Sequence, residues 1–142
     1  MCFAVYIGTN EKQKTDDEWI KGQTEIYFQE LSVDEEVVKQ KFTKPFIYYV
    51  GADTGCSCGF ALDVENFDDP EQDNKKSPQK LINFIATQTK KEDIEFYCCW
   101  EGDWNEPVET SIKLNIIDIS LDKNYFGLEE KQFILFKKQS SQ

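Results

Sequence analysis

The sequence contains no histidine and no arginine, since all 16 of its basic residues are lysine. Without an imidazole, the Ser-His-Asp and Cys-His mechanisms are excluded, and so is a histidine-ligated metal. The absence of guanidinium groups removes the planar donor that captures phosphate or carboxylate groups through paired hydrogen bonds. The chain also lacks an apolar run of about 18 residues and a basic region of the signal-peptide type. We therefore predict a cytoplasmic protein without a membrane partner.

Acidic residues dominate the charge of the chain, with 27 Asp and Glu against 16 Lys and a net charge of −11. Such a surface repels nucleic acids, which bind by releasing counterions to basic side chains. We therefore expect no nucleic-acid partner, and a basic protein is the partner that the charge favours. A length of 142 residues is typical of one domain, which we predict to span residues 1–142. The sequence leaves the oligomeric state open.

Hydrophobic alternation and helix-start signals predict the order β-β-α-β-β-α-β-β-β. Strand patterns occupy residues 2–8, 24–31, 46–50, 56–64, 94–100, 108–116 and 133–136. A capping-box sequence from Ser32 to Glu35 begins the first helix, and Ser77 with Pro78 begins the second, which runs to about Lys90. The prediction is an α+β protein: a single mixed, mostly antiparallel sheet of about six or seven strands with two helices packed on it.

Two expectations concern the strand at residues 94–100. Alternation places Ile94, Phe96, Cys98 and Trp100 on one face, which predicts a half-buried strand. A right-handed crossover through the second helix would pair this strand in parallel with the strand at 56–64. The remaining connections in the chain are expected to be antiparallel.

The stretch Gly51-Ala52-Asp53-Thr54-Gly55-Cys56-Ser57-Cys58-Gly59-Phe60 is the densest cluster of unusual residues in the chain. Asp53 lies in a predicted turn that follows a buried strand. The glycines form no phosphate-binding motif, and turn geometry explains them. A redox or nucleophilic role for Cys56 or Cys58 is one hypothesis, because a glycine-rich turn can lower a thiol pKa by directing backbone amides at it. No histidine is present to activate either sulfur.

A zinc site is a second hypothesis for these cysteines, with Cys98 or Cys99 and Cys2 as the remaining thiolates. The expected parallel alignment opposes it, because Cys98 would lie about four residues, or roughly 13 Å, along the sheet from Cys58. Ordinary buried thiols are the favoured interpretation, since free cysteine is among the most buried residue types. No metal site and no cofactor is therefore predicted.

A second concentration of candidate binding residues is the sequence Trp100-Glu101-Gly102-Asp103-Trp104. Aromatic rings beside carboxylates are typical of a binding surface for a basic partner. The alternative is a strand end at which Trp104 covers the rim of the core while the acidic residues stay in water. Glu101 and Asp103 could also act as general acid and base or bind calcium, but neither an EF-hand loop nor a glycosidase-like context accompanies them.

Three segments of the chain form a set of motifs. They are Cys2-Phe3; Tyr49-Val50-Gly51 with Gly55-Cys56-Ser57-Cys58-Gly59-Phe60; and Glu95-Phe96-Tyr97-Cys98-Cys99-Trp100-Glu101-Gly102-Asp103. The set spans most of the chain and resembles a family of small uncharacterised bacterial proteins. Ser57 stands where that pattern has a small residue such as glycine. The resemblance implies no activity, ligand or cofactor, so no functional residue is carried over from it.

We predict from these observations a non-enzymatic, acidic binding or interaction protein without catalytic residues. The candidate binding residues are Asp53, Cys56, Cys58, Trp100, Glu101, Asp103 and Trp104. The alternative is a thiol-dependent enzyme or a zinc-binding protein that uses Cys56 and Cys58. The sequence leaves the choice between these two classes open.

Overall fold

Six strands form one mixed sheet in the described part of the computed structural model, which covers residues 3–15, 20, 24–52, 57, 76–118 and 129–139. The strands are β1 (Phe3–Thr9), β2 (Ile26–Gln29), β3 (Phe46–Ala52), β4 (Ile94–Trp100), β5 (Thr110–Leu114) and β6 (Gln132–Phe136). The helices are α1 (Lys76–Gln88) and two short 3₁₀ helices, Glu36–Lys41 and Ile116–Asp118. No helix within these ranges is long and apolar enough to cross a membrane.

The strand order across the sheet is β2-β3-β1-β4-β6-β5. Every neighbouring pair is antiparallel except β5 and β6, which run parallel. The predicted α+β class, with a single mixed and mostly antiparallel sheet, is confirmed. β1 lies between β3 and β4, as expected for a strand that is buried along its whole length.

The prediction that residues 94–100 pair in parallel with residues 56–64 is wrong, because β4 pairs with two other strands. Both edges of β4 are occupied, by β1 on one side and by β6 on the other, and both pairs are antiparallel. The crossover rule relates strands that follow each other in the chain. It could not anticipate that a strand from the start of the chain and one from its end would flank β4. Residues 56–64, apart from Ser57, lie outside the described residues.

Alternating side chains divide the core into two layers, one on each face of the sheet. On the helix face, strand residues pack against Leu81, Ile82 and Ile85 of α1. The opposite face, which we call the aromatic face, holds Ala4, Tyr6, Tyr27, Val38, Phe42, Ile47, Tyr49, Tyr97 and Cys99. Because both layers are present, β4 is buried on both sides over residues 94–99, and the prediction of a half-buried strand is wrong.

The first predicted helix is a 3₁₀ helix of six residues. Half of the predicted capping box forms, since the Ser32 backbone N–H donates to Glu35 Oε1 over 3.0 Å. The other carboxylate oxygen of Glu35 accepts a hydrogen bond from Tyr6 on β1. Glu35 is thus held by a tertiary contact that the local signal does not contain, and the chain continues in the tighter helix that is common in short segments.

The second predicted helix corresponds to α1, which begins at Lys76, two residues before the predicted first position Pro78, and ends at Gln88, so Ser77 lies inside the helix and not at its N-cap. Ser77 is buried in its first turn. The Ser77 hydroxyl donates to the Glu25 carbonyl oxygen over 2.6 Å. This hydrogen bond ties the start of α1 to the residue that precedes β2.

A buried carboxylate on β4 joins the turn before β3 to the sheet. Glu95 is only 4% exposed. Its Oε1 accepts hydrogen bonds from the backbone N–H groups of Thr43 and Lys44, both at 2.8 Å, and its Oε2 accepts one from the Thr43 hydroxyl at 2.9 Å. Three donors therefore compensate the loss of water around this charge. The arrangement gives Glu95 a structural role.

Candidate functional site

A cleft of about 350 Å³ opens on the aromatic face. It is lined by Tyr27, Gln29, Ser32, Glu35, Tyr49, Glu101 and Trp104. These residues come from β2, the turn before the first 3₁₀ helix, β3 and the loop after β4. The antiparallel register sets two of them side by side, because Gln29 on β2 lies opposite Tyr49 on β3.

Gly51 shapes one wall of this cleft. It lies opposite Tyr27 in the register of β2 and β3. A Cβ atom on residue 51 would overlap the ring carbons and the hydroxyl of Tyr27. Glycine at this position therefore provides the space into which the Tyr27 ring folds.

Glu35 projects from the turn before the first 3₁₀ helix, and two hydrogen bonds orient its carboxylate. Its Oε2 accepts from the Tyr6 hydroxyl at 2.5 Å, and its Oε1 accepts from the Ser32 backbone N–H at 3.0 Å. Burial of Tyr6, and next the bond to Glu35, raise the pKa of Tyr6 far above its usual value. Tyr6 therefore stays protonated at neutral pH, and its O–H donates a hydrogen bond to Glu35. Each oxygen of Glu35 retains a lone pair for a ligand.

Trp104 is anchored by Lys41, whose Nζ donates to the Trp104 carbonyl oxygen over 3.0 Å. The same ammonium lies 5.5 Å from the centroid of the Tyr97 ring, which is within cation–π distance. The Trp104 indole nitrogen is buried and makes no hydrogen bond of normal geometry, although it is close enough to Tyr6 to oppose the rise in the Tyr6 pKa. The aromatic face thus already accommodates one cation.

Carboxylates make the surroundings of the cleft negative. The pKa of Cys99 is raised to about 12, first by burial and then by the Asp103 carboxylate; Glu35 acts in the same direction and Lys41 opposes it. Burial also raises the pKa of Tyr97, with Asp103 among the further causes. No lysine lines the cleft among the residues that the structure describes. In the described part of the chain, the charged residues that line the cleft are therefore the carboxylates Glu35 and Glu101.

Two of the candidate binding residues predicted from the sequence, Glu101 and Trp104, line the cleft. Trp100 lies on the helix face because β4 alternates, and its ring packs edge-on against Phe3 with centroids 4.9 Å apart. Asp103 does not line the cleft, although its charge acts on the aromatic face. Its backbone N–H closes a turn onto the Trp100 carbonyl oxygen over 3.0 Å. The tertiary structure therefore divides the predicted cluster between two faces.

The remaining candidates, Asp53, Cys56 and Cys58, lie outside the described residues, so the thiol and zinc hypotheses for them stay predictions. The described cysteines, Cys98 and Cys99, are buried free thiols that point to opposite faces of β4. Burial is the main cause that raises the pKa of each to about 12, so neither is a thiolate at neutral pH. Within the described ranges, no three Cys, Asp or Glu side chains are grouped to hold a metal ion.

Sequence reasoning missed most of the cleft. The residues it did not assign to a site are Tyr27, Gln29, Ser32, Glu35 and Tyr49. The sequence around Ser32 and Glu35 matches a helix-capping box, and the two tyrosines fit strand patterns. Local structure therefore accounted for these residues without a binding role. The available hint is the choice of tyrosine at buried strand positions, since a buried hydroxyl usually requires a polar neighbour.

No family model, curated protein or solved structure matches the chain. The resemblance to small bacterial proteins therefore stays a prediction. The function has to be inferred from the cleft.

Proposed function

We propose that this protein is an acidic, non-enzymatic binding protein whose cleft takes a cationic side chain from a basic protein partner. The observation that carries the proposal is the composition of the cleft wall. Two carboxylates, Glu35 and Glu101, stand beside the aromatic residues Tyr27, Tyr49 and Trp104. The exposed lining of the cleft is mostly polar, so a cation would be held there by the charge of the carboxylates and by hydrogen bonds to them.

Burial strengthens this attraction. Tyr27 and Tyr49 are buried, and Glu35 is half-buried, so a ligand in the cleft would be partly removed from water. Interactions between charges increase as the effective dielectric constant falls. Glu101 is exposed at the rim, where it can meet an approaching cation before the deeper groups do.

The charge of the whole chain supports the same class of partner. A net charge of −11 steers basic proteins toward the surface and repels phosphate groups. We therefore infer a basic protein that is met in the cytoplasm, and we expect neither nucleic acid nor an anionic membrane as a partner.

Calorimetric titration with a short peptide of alternating glycine and basic residues, half lysine and half arginine, tests the proposal. Binding is expected at about 0.05 M salt and should weaken strongly as salt screens the carboxylates. Glu101→Gln should weaken it by about fivefold, which is the effect of losing about 1 kcal/mol from a partly screened ion pair. The Trp104 indole N–H resonance should shift during the titration.

Glu11→Gln is the matched control, because it removes the same charge elsewhere. β1 and β4 are antiparallel neighbours. Glu11, which follows β1, and Glu101, which follows β4, therefore lie at opposite ends of this strand pair. We expect Glu11→Gln to change the affinity by less than about twofold. Equal weakening by the two variants, or an unchanged Trp104 resonance, would show that the peptide is attracted by net charge alone and would reject the cleft as the site.

A further inference from the structure

We propose that two copies of this chain associate through the open edge of β5, which pairs in the antiparallel direction with β5 of the second copy. Within the described residues, β5 ends the strand order and pairs with β6 on one side only. The backbone N–H and C=O groups on the other side of an edge strand are a template for a further strand. Pairing at this edge would join the two sheets into one.

The exposure of β5 distinguishes it from β2, the strand at the opposite edge of the sheet. Four of the five residues of β5 are exposed, so both of its faces are open to water. In β2, by contrast, three of the four residues are buried or half-buried. An incoming strand therefore finds free backbone and free side chains at β5 to a greater extent than at β2.

Hydrogen bonds at the two ends of β5 show which backbone groups point away from β6. The Thr110 N–H donates to the residue before β6 over 3.3 Å, and the Leu114 carbonyl oxygen accepts from the residue after β6 over 2.9 Å. The backbone groups of successive residues in a strand point to alternate sides. The N–H and C=O groups of Ser111 and Lys113 are therefore directed toward the open edge.

These outward groups select the register of the pair. In an antiparallel pair centred on Ile112, Ser111 of each copy lies opposite Lys113 of the other, and all the outward groups bond. A pair centred on Ser111 would instead bring Lys113 opposite Glu109. The Glu109 N–H already donates to the Lys131 carbonyl oxygen over 2.8 Å, so fewer bonds would form. The register centred on Ile112 is therefore favoured.

The central side chain of β5 fits the same register. Ile112 is 38% exposed, and in this register it meets its own copy across the two-fold axis. Such a central pair is not hydrogen-bonded, so its Cα atoms approach to about 4.5 Å and the two side chains cover each other. Pairing thus removes a partly exposed apolar side chain of each copy from water.

Charge complementarity favours a second copy as the occupant. Lys113 lies diagonal to the second copy's Glu109, within reach of a long side chain, and the two-fold axis repeats this pair. A single lysine–lysine diagonal opposes the two attractions. The Glu109 side chain is 56% exposed, so it remains accessible although Lys131 Nζ lies 3.5 Å from its Oε1. β5 itself carries no carboxylate, so the copies meet at a segment without acidic residues despite their net charge of −11.

Sedimentation equilibrium of the unaltered protein tests the proposal at about 0.15 M salt, where repulsion between the copies is screened over about 8 Å. A five-residue pairing is smaller than a standard interface, so we expect a dimer with a dissociation constant of about 0.1 mM. The amides of Ser111 and Lys113 should exchange about fourfold more slowly at about 1 mM protein than at about 0.02 mM, which is the ratio of the monomer fractions. A monomer at about 1 mM, or oligomers that grow beyond the dimer, would overturn the proposal.

A charge exchange identifies the strand and its register. Lys113→Glu makes both diagonals acidic, and Glu109→Lys makes both basic. Each variant alone should therefore associate about fivefold more weakly, the effect of about 1 kcal/mol. A mixture of the two variants should associate at least as tightly as the unaltered chain, because each copy supplies the charge that the other lacks. A mixture that stays as weak as its components would overturn the assigned pairing.

Substitutions at Ser111 test the backbone bonds. Ser111→Pro removes an N–H that points away from β6, whereas the matched control Ser111→Thr retains it and suits a strand. We expect the dimer to be lost with proline and kept with threonine, and circular dichroism checks that both variants fold. If the proline variant does not fold, the charge exchange decides the question.

Glu101→Gln separates this association from cation binding in the cleft. Glu101 lines the cleft and does not belong to β5, so its substitution should leave the dimer unchanged. Weaker association of Glu101→Gln would place the contact between copies in the cleft and would overturn the pairing of β5.

Discussion

Replacing Glu95 with alanine tests how the turn before β3 is attached to β4. The carboxylate is 4% exposed on a central strand and accepts three hydrogen bonds from Thr43 and Lys44. Glu95→Ala removes all three acceptor contacts at once. The turn between the first 3₁₀ helix and β3 would then lose its main polar link to β4.

The magnitude follows from the number and kind of these bonds. A hydrogen bond to a charged group contributes about 1.5–3 kcal/mol, so three give a gross value of about 4.5–9 kcal/mol. Two corrections lower this sum. Thr43 is exposed, so its donors can turn to water, and the variant no longer buries a charge. We expect a net loss of about 3 kcal/mol in the free energy of unfolding, and of about 1 kcal/mol for Glu95→Gln, which retains one acceptor oxygen.

Urea denaturation followed by circular dichroism measures these losses. Thr43→Ala in both backgrounds completes a double-mutant cycle, in which the loss of the hydroxyl should cost about 1 kcal/mol with Glu95 present and close to nothing without it. Glu106→Ala, an exposed acidic residue in the loop after β4, serves as the control and should change stability by less than about 0.5 kcal/mol. If Glu95→Ala were no more destabilising than this control, the carboxylate would not hold the turn and the reasoning would be refuted.

Two further predictions concern buried positions. Gly51→Ala should lower the free energy of unfolding by about 2 kcal/mol, because the added Cβ overlaps the Tyr27 ring. It should also weaken cation binding, since Tyr27 lines the cleft and would have to move. Unchanged thermal and urea midpoints would contradict the close approach of Gly51 and Tyr27. The folded state holds the protons of Cys98 and Cys99 more tightly than the unfolded state does, since their pKa values rise from 9.0 to about 12. The resulting stability is present below about pH 9 and is lost as the pH rises toward 12, so the urea midpoint should fall between about pH 9 and 12. The fall should be smaller in a variant with both cysteines replaced by alanine, and an equal fall would show that other groups cause it.

Strand positions were the most predictable part of the fold. Phe28 and Tyr27 pack into different layers, as the alternation in this segment predicts. The burial of β4 was less predictable, because Tyr97 and Cys99 lie on a face that a short 3₁₀ helix from another part of the chain helps to cover. A period-two pattern shows that two faces exist, but it does not show what packs against each of them.

The candidate site was predicted in part. Glu101 and Trp104 were chosen because aromatic and acidic residues adjoin in the sequence, and both line the cleft. Trp100, chosen for the same reason, packs against Phe3 on the helix face. Glu35 was interpreted only as a capping residue, and half of that interpretation is confirmed by its bond to Ser32. Adjacency in the sequence could not show which side of the sheet each side chain would join.

The sequence by itself determined the chemistry that is available to this protein. The absence of histidine and arginine and the net charge of −11 follow from composition alone, as do the alternating patterns that predict strands. The tertiary structure decided which groups meet. Tyr6 and Glu35 are 29 residues apart, and Lys41 and Trp104 are 63 residues apart. Such pairs form because the strand order places distant segments side by side, and that order depends on which faces bury each other, which no local pattern encodes.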